Sequence, residues 1–304
     1  MAIDTAQLAD WQIDLGGILI GHGTTVLIRD IEGIGTPDRR AGDRPIPGED
    51  GNYPGRDTYA PRTLRIAAGI RTPGRPDAAL DQFAALEQAA DTQVRLTPGA
   101  TDVLRIRRPG QPVRRLYGRL AGVEAVSLVD AVFGWVPVQI TYVGLDPAWY
   151  ADTPSGVLLH LDVDPQRKDG FEAPLRAPMT TGTANPAARP GWAPNAGNRP
   201  AWPTLRITGP VVNPRVWLEG VPGAVLDFDL ALGDGEWIDI ETRPGTRWVL
   251  RNGGQGSAAG ALRRASRLDA FQIPPGRTEV RWTAQDATNT ARLSVTWRDA
   301  HSSL

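Results

Sequence analysis

Glycine and proline occupy 34 and 27 of the 304 positions, and they recur every few residues between short apolar runs instead of collecting in one tail. In a helix interior each glycine costs about 1 kcal/mol and each proline about 3 kcal/mol relative to alanine, so this spacing leaves room for little helix. The chain reads as mainly β, built from short strands and tight turns.

In the first half, strands are expected over 17–20, 26–34, 62–70, 102–107, 116–123 and 133–143. One helix interrupts them at 76–90, where Pro76 and Asp77 form the first turn and Leu80, Phe83, Ala84 and Leu86 are spaced to cover one face. The second half carries clearer alternation. In 290–298, Ala291, Leu293, Val295 and Trp297 fall on one side and Arg292, Ser294, Thr296 and Arg298 on the other, as a strand with one buried face requires. The stretch 277–283 repeats the pattern with Val280 and Trp282, and 225–230 and 237–241 add short strands. Eight of the ten tryptophans lie at or after Trp149, which suits a thin sandwich core.

A chain of this length approaches the size at which one hydrophobic core stops growing, so two domains are expected. The strand 133–143 breaks near the midpoint into Asp146-Pro147-Ala148-Trp149-Tyr150, which places the boundary between domains 1–148 and 149–304. Charge is balanced, 33 basic against 34 acidic residues, with none of the basic excess of a nucleic-acid or membrane-surface partner. Without cysteine there is no disulfide framework, thiolate chemistry, zinc-cysteine site or iron-sulfur cluster. The first ten residues do not read as a signal peptide, and no apolar run reaches the length of a membrane helix.

Chemistry-bearing motifs are incomplete. Residues 69–76 have P-loop glycine spacing, but Arg75 and Pro76 stand where lysine and a hydroxyl are needed. Residues 253–260 miss the dinucleotide pattern and sit among strands. Residues 162–170 resemble a calcium loop with Arg167 in place of the turn glycine. His22, His160 and His301 are scattered. Asp234, Glu236, Asp239 and Glu241 could in principle supply a glycosidase pair, yet Asp234-Gly235 also reads as a hairpin turn and the others as a solvated strand. No catalytic residue, cofactor or metal site is expected.

Several stretches carry a family likeness in order: Asp50-Gly51-Asn52-Tyr53-Pro54-Gly55-Arg56-Asp57 before the strand beginning Arg62-Thr63-Leu64, the helix, Leu116-Tyr117-Gly118-Arg119-Leu120, Leu145-Asp146-Pro147-Ala148-Trp149-Tyr150, and the run from Asn195 to Pro214. Together they resemble the distal tail proteins of long-tailed, non-contractile bacteriophages. The resemblance implies an N-terminal split β-barrel with a flanking helix, related to tail-tube proteins, followed by a galectin-like β-sandwich. It further implies a homohexameric ring joining the tail tube to the tail-associated hub, in a virion protein made in the bacterial cytoplasm, without membrane insertion or nucleic-acid specificity. The chain departs from the simplest members in its long 171–203 connector.

Under this resemblance Asp146, Pro147, Trp149 and Tyr150 are expected to be an inter-domain hinge. The irregular stretch 36–58 is expected to link neighbouring subunits, with Arg44 and Arg56 meeting polar groups, Pro45 and Pro47 limiting entropy loss and Tyr53 acting as anchor. The rival from another class is a carbohydrate-binding module presenting Trp192, Trp202 or Trp237 to the host envelope.

Overall fold

The structure, a computed structural model, describes residues 7–96, 101–161, 191–286, 288 and 290–304, with side chains left undescribed at 92–96. The calcium-like stretch 162–170 and most of the 171–203 connector lie outside the described residues. Two compact units divide the chain: Met1–Asp152 with Ala300–Leu304, and Thr153–Asp299. Residues 149–152 and 300–304, which the sequence reading places in the second domain, belong to the first unit.

The first unit is a split β-barrel. Its strands run Ile18–Gly21, Gln12–Leu15, Asp102–Ile106, Arg114–Ala125, Trp135–Gly144, Arg62–Arg71 and Val26–Glu32, antiparallel throughout. The first and last strands of this order share no ladder among the described residues, and that gap is the split. Trp149–Ala151 pairs with Arg114 and Arg115, and Ala300–His301 pairs with Trp149 and Tyr150. Inward positions carry Ile13, Leu15, Leu64, Ile66, Ile70 and Ile140, all buried in one core. Each contributes about 2 kcal/mol by leaving water.

The helix runs Pro76–Leu96, six residues beyond the expected end. It faces the core with Ala79, Phe83, Leu86 and Ala90, whereas Leu80 and Ala84 point to solvent. The expected face is therefore corrected by part of a turn. Spacings of four, three and four residues bring the small Ala79 against the sheet, and choosing the larger Leu80 by size alone misplaces the stripe.

The second unit is a β-sandwich. One sheet orders Ser155–His160, Arg292–Trp297, Thr204–Thr208, Trp237–Glu241, Trp248–Arg251 and Gly256–Ser257; the other orders Trp192–Asn195, Gly276–Gln285, Val211–Leu218 and Val225–Asp227, with Ala231–Leu232 beside Val211–Leu218. Two buried indoles tie the sheets: Trp282 Nε1 donates to the His160 carbonyl and Trp297 Nε1 to the Pro194 carbonyl, both at 2.9 Å. The described end of the connector is thus partly a strand, Trp192–Asn195.

Candidate functional site

The stretch 36–58, irregular by sequence, folds as an arm. Arg39–Arg40 pairs with Thr58–Tyr59, and further out Arg44–Pro45 pairs with Asn52–Tyr53. Between the two ladders the strands cross at Gly42 and Gly55, where the Gly55 N–H donates to Asp43 Oδ1 at 2.8 Å and the Gly42 N–H to Asp57 Oδ1 at 3.3 Å. The Ile46 N–H donates to the Gly51 carbonyl and closes the tip. Arg44, Pro45, Pro47, Tyr53 and Arg56 all lie on this arm and all are exposed; from Asp38 to Tyr59 only Gly42 and Ile46 are even half-buried. Eight residues of extended chain from Arg39 to the tip reach on the order of 25 Å.

The arm springs from a buried root that sequence reasoning missed. Arg62 is 1% exposed, and its guanidinium donates to the carbonyls of Gly33, Ile34, Gly35, Pro147 and Ser302 while lying 5.3 Å from the Trp149 ring. The signal was its phase: Arg62, Leu64, Ile66, Ala68 and Ile70 share the inward side of one strand.

The break at Asp146 and Pro147 interrupts a strand without reversing it, because Trp135–Gly144 and Trp149–Ala151 both pair antiparallel with Arg114–Ala125 and so run in the same direction within the first unit. Asp146 accepts hydrogen bonds from the Ala148 N–H and the Tyr150 hydroxyl, and Trp149 and Tyr150 are buried, Trp149 in the barrel core. Trp149 Nε1 finds no acceptor among the described residues. The chain leaves this unit only after Asp152, which is anchored by Arg105 at 2.8 Å and Arg115 at 2.5 Å; Arg105 also meets Asp14 at 3.2 Å. Burial pushes the Asp152 carboxyl up, but hydrogen bonds from Arg105 and then Arg115 outweigh it and hold the group below its ordinary value.

A second surface lies at the far end of the barrel. Strand Arg62–Arg71 begins beside the arm, and its last residue pairs with Trp135, where the hairpin through Val129–Phe133 turns. In that turn Val126, Leu128, Val129, Val132 and Phe133 are exposed, Val129 and Phe133 at 83% and 74%. Exposed apolar side chains clustered in one turn make this a candidate interaction surface.

A cleft of about 550 Å³ opens beside the barrel split, lined by Trp11, His22, Leu27, Ile28, Ile31 and Ile34 among others. It brings together no nucleophile with a base. In the second unit three of the four acids considered for catalysis are engaged. Glu236 meets Arg251 at 2.6 Å, and the Gly233 N–H, then Arg251, hold its carboxyl below the ordinary value, opposite to what a general acid needs. Asp239 pairs with Arg206 at 2.6 Å and accepts from Trp237 Nε1, and Glu241 lies 3.8 Å from Arg243. Asp234 lies in the turn before Glu236, separate from these pairs.

Arginines also cap the tryptophans proposed as a sugar platform: Arg277 over Trp192 at 4.1 Å, Arg247 over Trp202 at 5.4 Å and Arg206 over Trp237 at 5.5 Å. Among the described residues no three His, Cys, Asp or Glu side chains gather as a metal site, and no helix is long and apolar enough to cross a membrane.

Neither protein-family profiles nor curated proteins match the chain. Solved structures do. The Dit protein of phage SPP1, described as a paradigm of hub adsorption apparatus in phages infecting Gram-positive bacteria, aligns with a TM-score of 0.58 at 14% identity, over 95% of this chain and 98% of that one. A chain of the phage P2 baseplate in its activated conformation with calcium gives 0.55 at 12% identity, over 94% and 97%. The strontium form gives 0.53 at 12%, over 94% and 96%. The likeness spans both units, so this chain shares the two-part fold of these phage proteins.

Proposed function

We propose that this chain is a structural protein of a bacteriophage tail tip, acting by assembly and without catalysis. Six copies form a ring joining the tail tube to the tail-associated hub, in a virion component made in the host bacterial cytoplasm. The arm carries this reading. Ordering its backbone costs about 1 to 2 kcal/mol per residue, and an arm whose side chains stand in solvent regains little of that on its own subunit. A neighbouring copy supplies the missing burial, with Tyr53 as anchor and Arg44 and Arg56 meeting carboxylates or carbonyls. The apolar turn at the opposite end of the barrel gives the ring a separate surface for a coaxial neighbour, tube or hub. In this reading the second unit is a galectin-like sandwich, and Asp146, Pro147, Trp149 and Tyr150 belong to the stretch through which the chain passes towards it.

Electron microscopy of tail tips containing this chain tests the reading. Six copies around the axis are expected with the intact protein, and no assembled tips when residues 46–53 are deleted. Another copy number, absence from the virion, or normal assembly of the deletion variant would overturn it.

A further inference from the structure

Arg62 joins three segments that are far apart in sequence. Its Nη1 donates to the Ile34 carbonyl at 2.8 Å and the Gly33 carbonyl at 3.1 Å, and also to Gly35. Nε and Nη2 donate to the Pro147 carbonyl at 3.3 and 3.1 Å, and Nη2 reaches the Ser302 carbonyl at 3.5 Å. Residues 33–35 lead into the arm, Pro147 sits in the break, and Ser302 belongs to the segment that returns to the barrel after the sandwich.

We propose that Arg62 is a positioning residue for the arm, a buried fork that fixes the arm's root only while the returning segment 300–304 is seated. A guanidinium out of water is tolerated when its N–H groups are all used, and here those acceptors come from segments that must be present together. Loss of the strand Ala300–His301 removes the Ser302 carbonyl and uncovers the Trp149–Ala151 strand that shares the fork. The fork then follows 33–35 outward, and the arm loses its direction. Lysine cannot replace it, because an ammonium on one point cannot span carbonyls set around a planar fork. The inference deepens the assembly reading and rests on it for its consequence, yet its physical content concerns a single subunit.

Hydrogen exchange on the full-length monomer tests it. In Arg62→Lys, far-ultraviolet circular dichroism should match wild type. The Ala60 amide, which donates to the Asp38 carbonyl at the arm's base, should exchange about tenfold faster or more, the factor expected for one lost charge-assisted hydrogen bond. Amides in 149–151 and 300–301 should accelerate with it, and those of 64–70 should not. If Arg62→Lys does not fold, wild type decides: in rising sub-denaturing urea, the Ala60 amide and the 300–301 amides should open with one common free energy below that of global unfolding. Unchanged arm exchange in the variant, or separate opening energies in wild type, would overturn the inference. Because both readouts are taken on the monomer, they stand apart from the tail-tip assembly that tests the arm's role.

Discussion

Gly42 and Gly55 face each other across the arm so closely that a Cβ on Gly55 would overlap the Gly42 carbonyl, and one on Gly42 would overlap the carbonyl of Arg56. The crossing can exist only with hydrogen in both places, and it joins the arm's two short ladders. Gly55→Ala should therefore push the strands apart while leaving the barrel core untouched. Thermal melting is expected within a few degrees of wild type. The Ile46 and Gly55 amides should lose protection, and ring assembly should fall sharply in a titration of protein concentration. Normal arm protection in the variant would show that the crossing is not a constraint.

The apolar turn makes a separate prediction. Val129 and Phe133 are exposed, so Val129→Asp with Phe133→Ser should change stability by no more than about 0.5 kcal/mol. The same pair should abolish stacking on the coaxial neighbour, because a carboxylate would be buried without a partner. Rings of six free of tube and hub are the expected product in micrographs. Complete tail tips would remove this surface from the proposed function.

Asp152 ties the exit from the barrel to Arg105, itself 6% exposed. Asp152→Ala removes the carboxylate that this guanidinium meets at 2.8 Å and should cost about 3 kcal/mol at pH 7, the size expected when one partner of a buried pair is removed. The Asp152 carboxyl is depressed in the folded state, so its contribution is present above the unfolded value of about 3.9 and is lost as pH falls below it through the folded value. Asp102 has the opposite sign: burial raises it, so its contribution is full below its unfolded value and fades as pH rises through the folded one. The difference between wild type and variant isolates Asp152. Urea melts from pH 7 to pH 2 should show this gap narrowing below about pH 4, and a pH-independent gap would assign it to packing alone.

The capped tryptophans predict the outcome for the rival reading. A sugar stacks on an open indole face, whereas guanidinium groups already lie over Trp192, Trp202 and Trp237. A glycan array probed with the second unit should give no saturable binding. Binding that disappears in Trp237→Ala would restore the carbohydrate reading.

Alternation was the readable signal, and it failed where side chains of the wrong polarity occupy the right phase. The strand Arg292–Trp297 buries Leu293, Val295 and Trp297 as its pattern requires, and Trp237–Glu241 buries Ile238 and Ile240. Arg62 sits at an inward position in equally regular alternation, but an arginine reads as solvated unless its partners are known, and these are carbonyls 27 to 240 residues away. Trp149–Ala151 and Ala300–His301 went unseen for a related reason: strands of three and two residues have no period of their own and exist through their pairing with each other and with Arg114 and Arg115. The arm looked structureless because prolines and glycines hid two ladders of two residue pairs each. What composition could convey was that such a stretch would not be buried.

The last prediction concerns where the chain can be cut. The second unit holds itself together through paired sheets and the two indole bonds from Trp282 and Trp297, all contributed by residues between Thr153 and Asp299. A fragment of residues 153–299 should therefore fold alone, with a cooperative melt and blue-shifted tryptophan emission. A fragment of residues 149–304, cut at the boundary suggested by the midpoint break, carries Trp149, Tyr150 and Leu304 away from the barrel where they are buried. Exposing those side chains should lower its solubility and promote concentration-dependent association without unfolding the sandwich. Equal behaviour of the two fragments would mean that 149–152 and 300–304 are indifferent to the barrel. An unfolded 153–299 fragment would mean that the two units share one core.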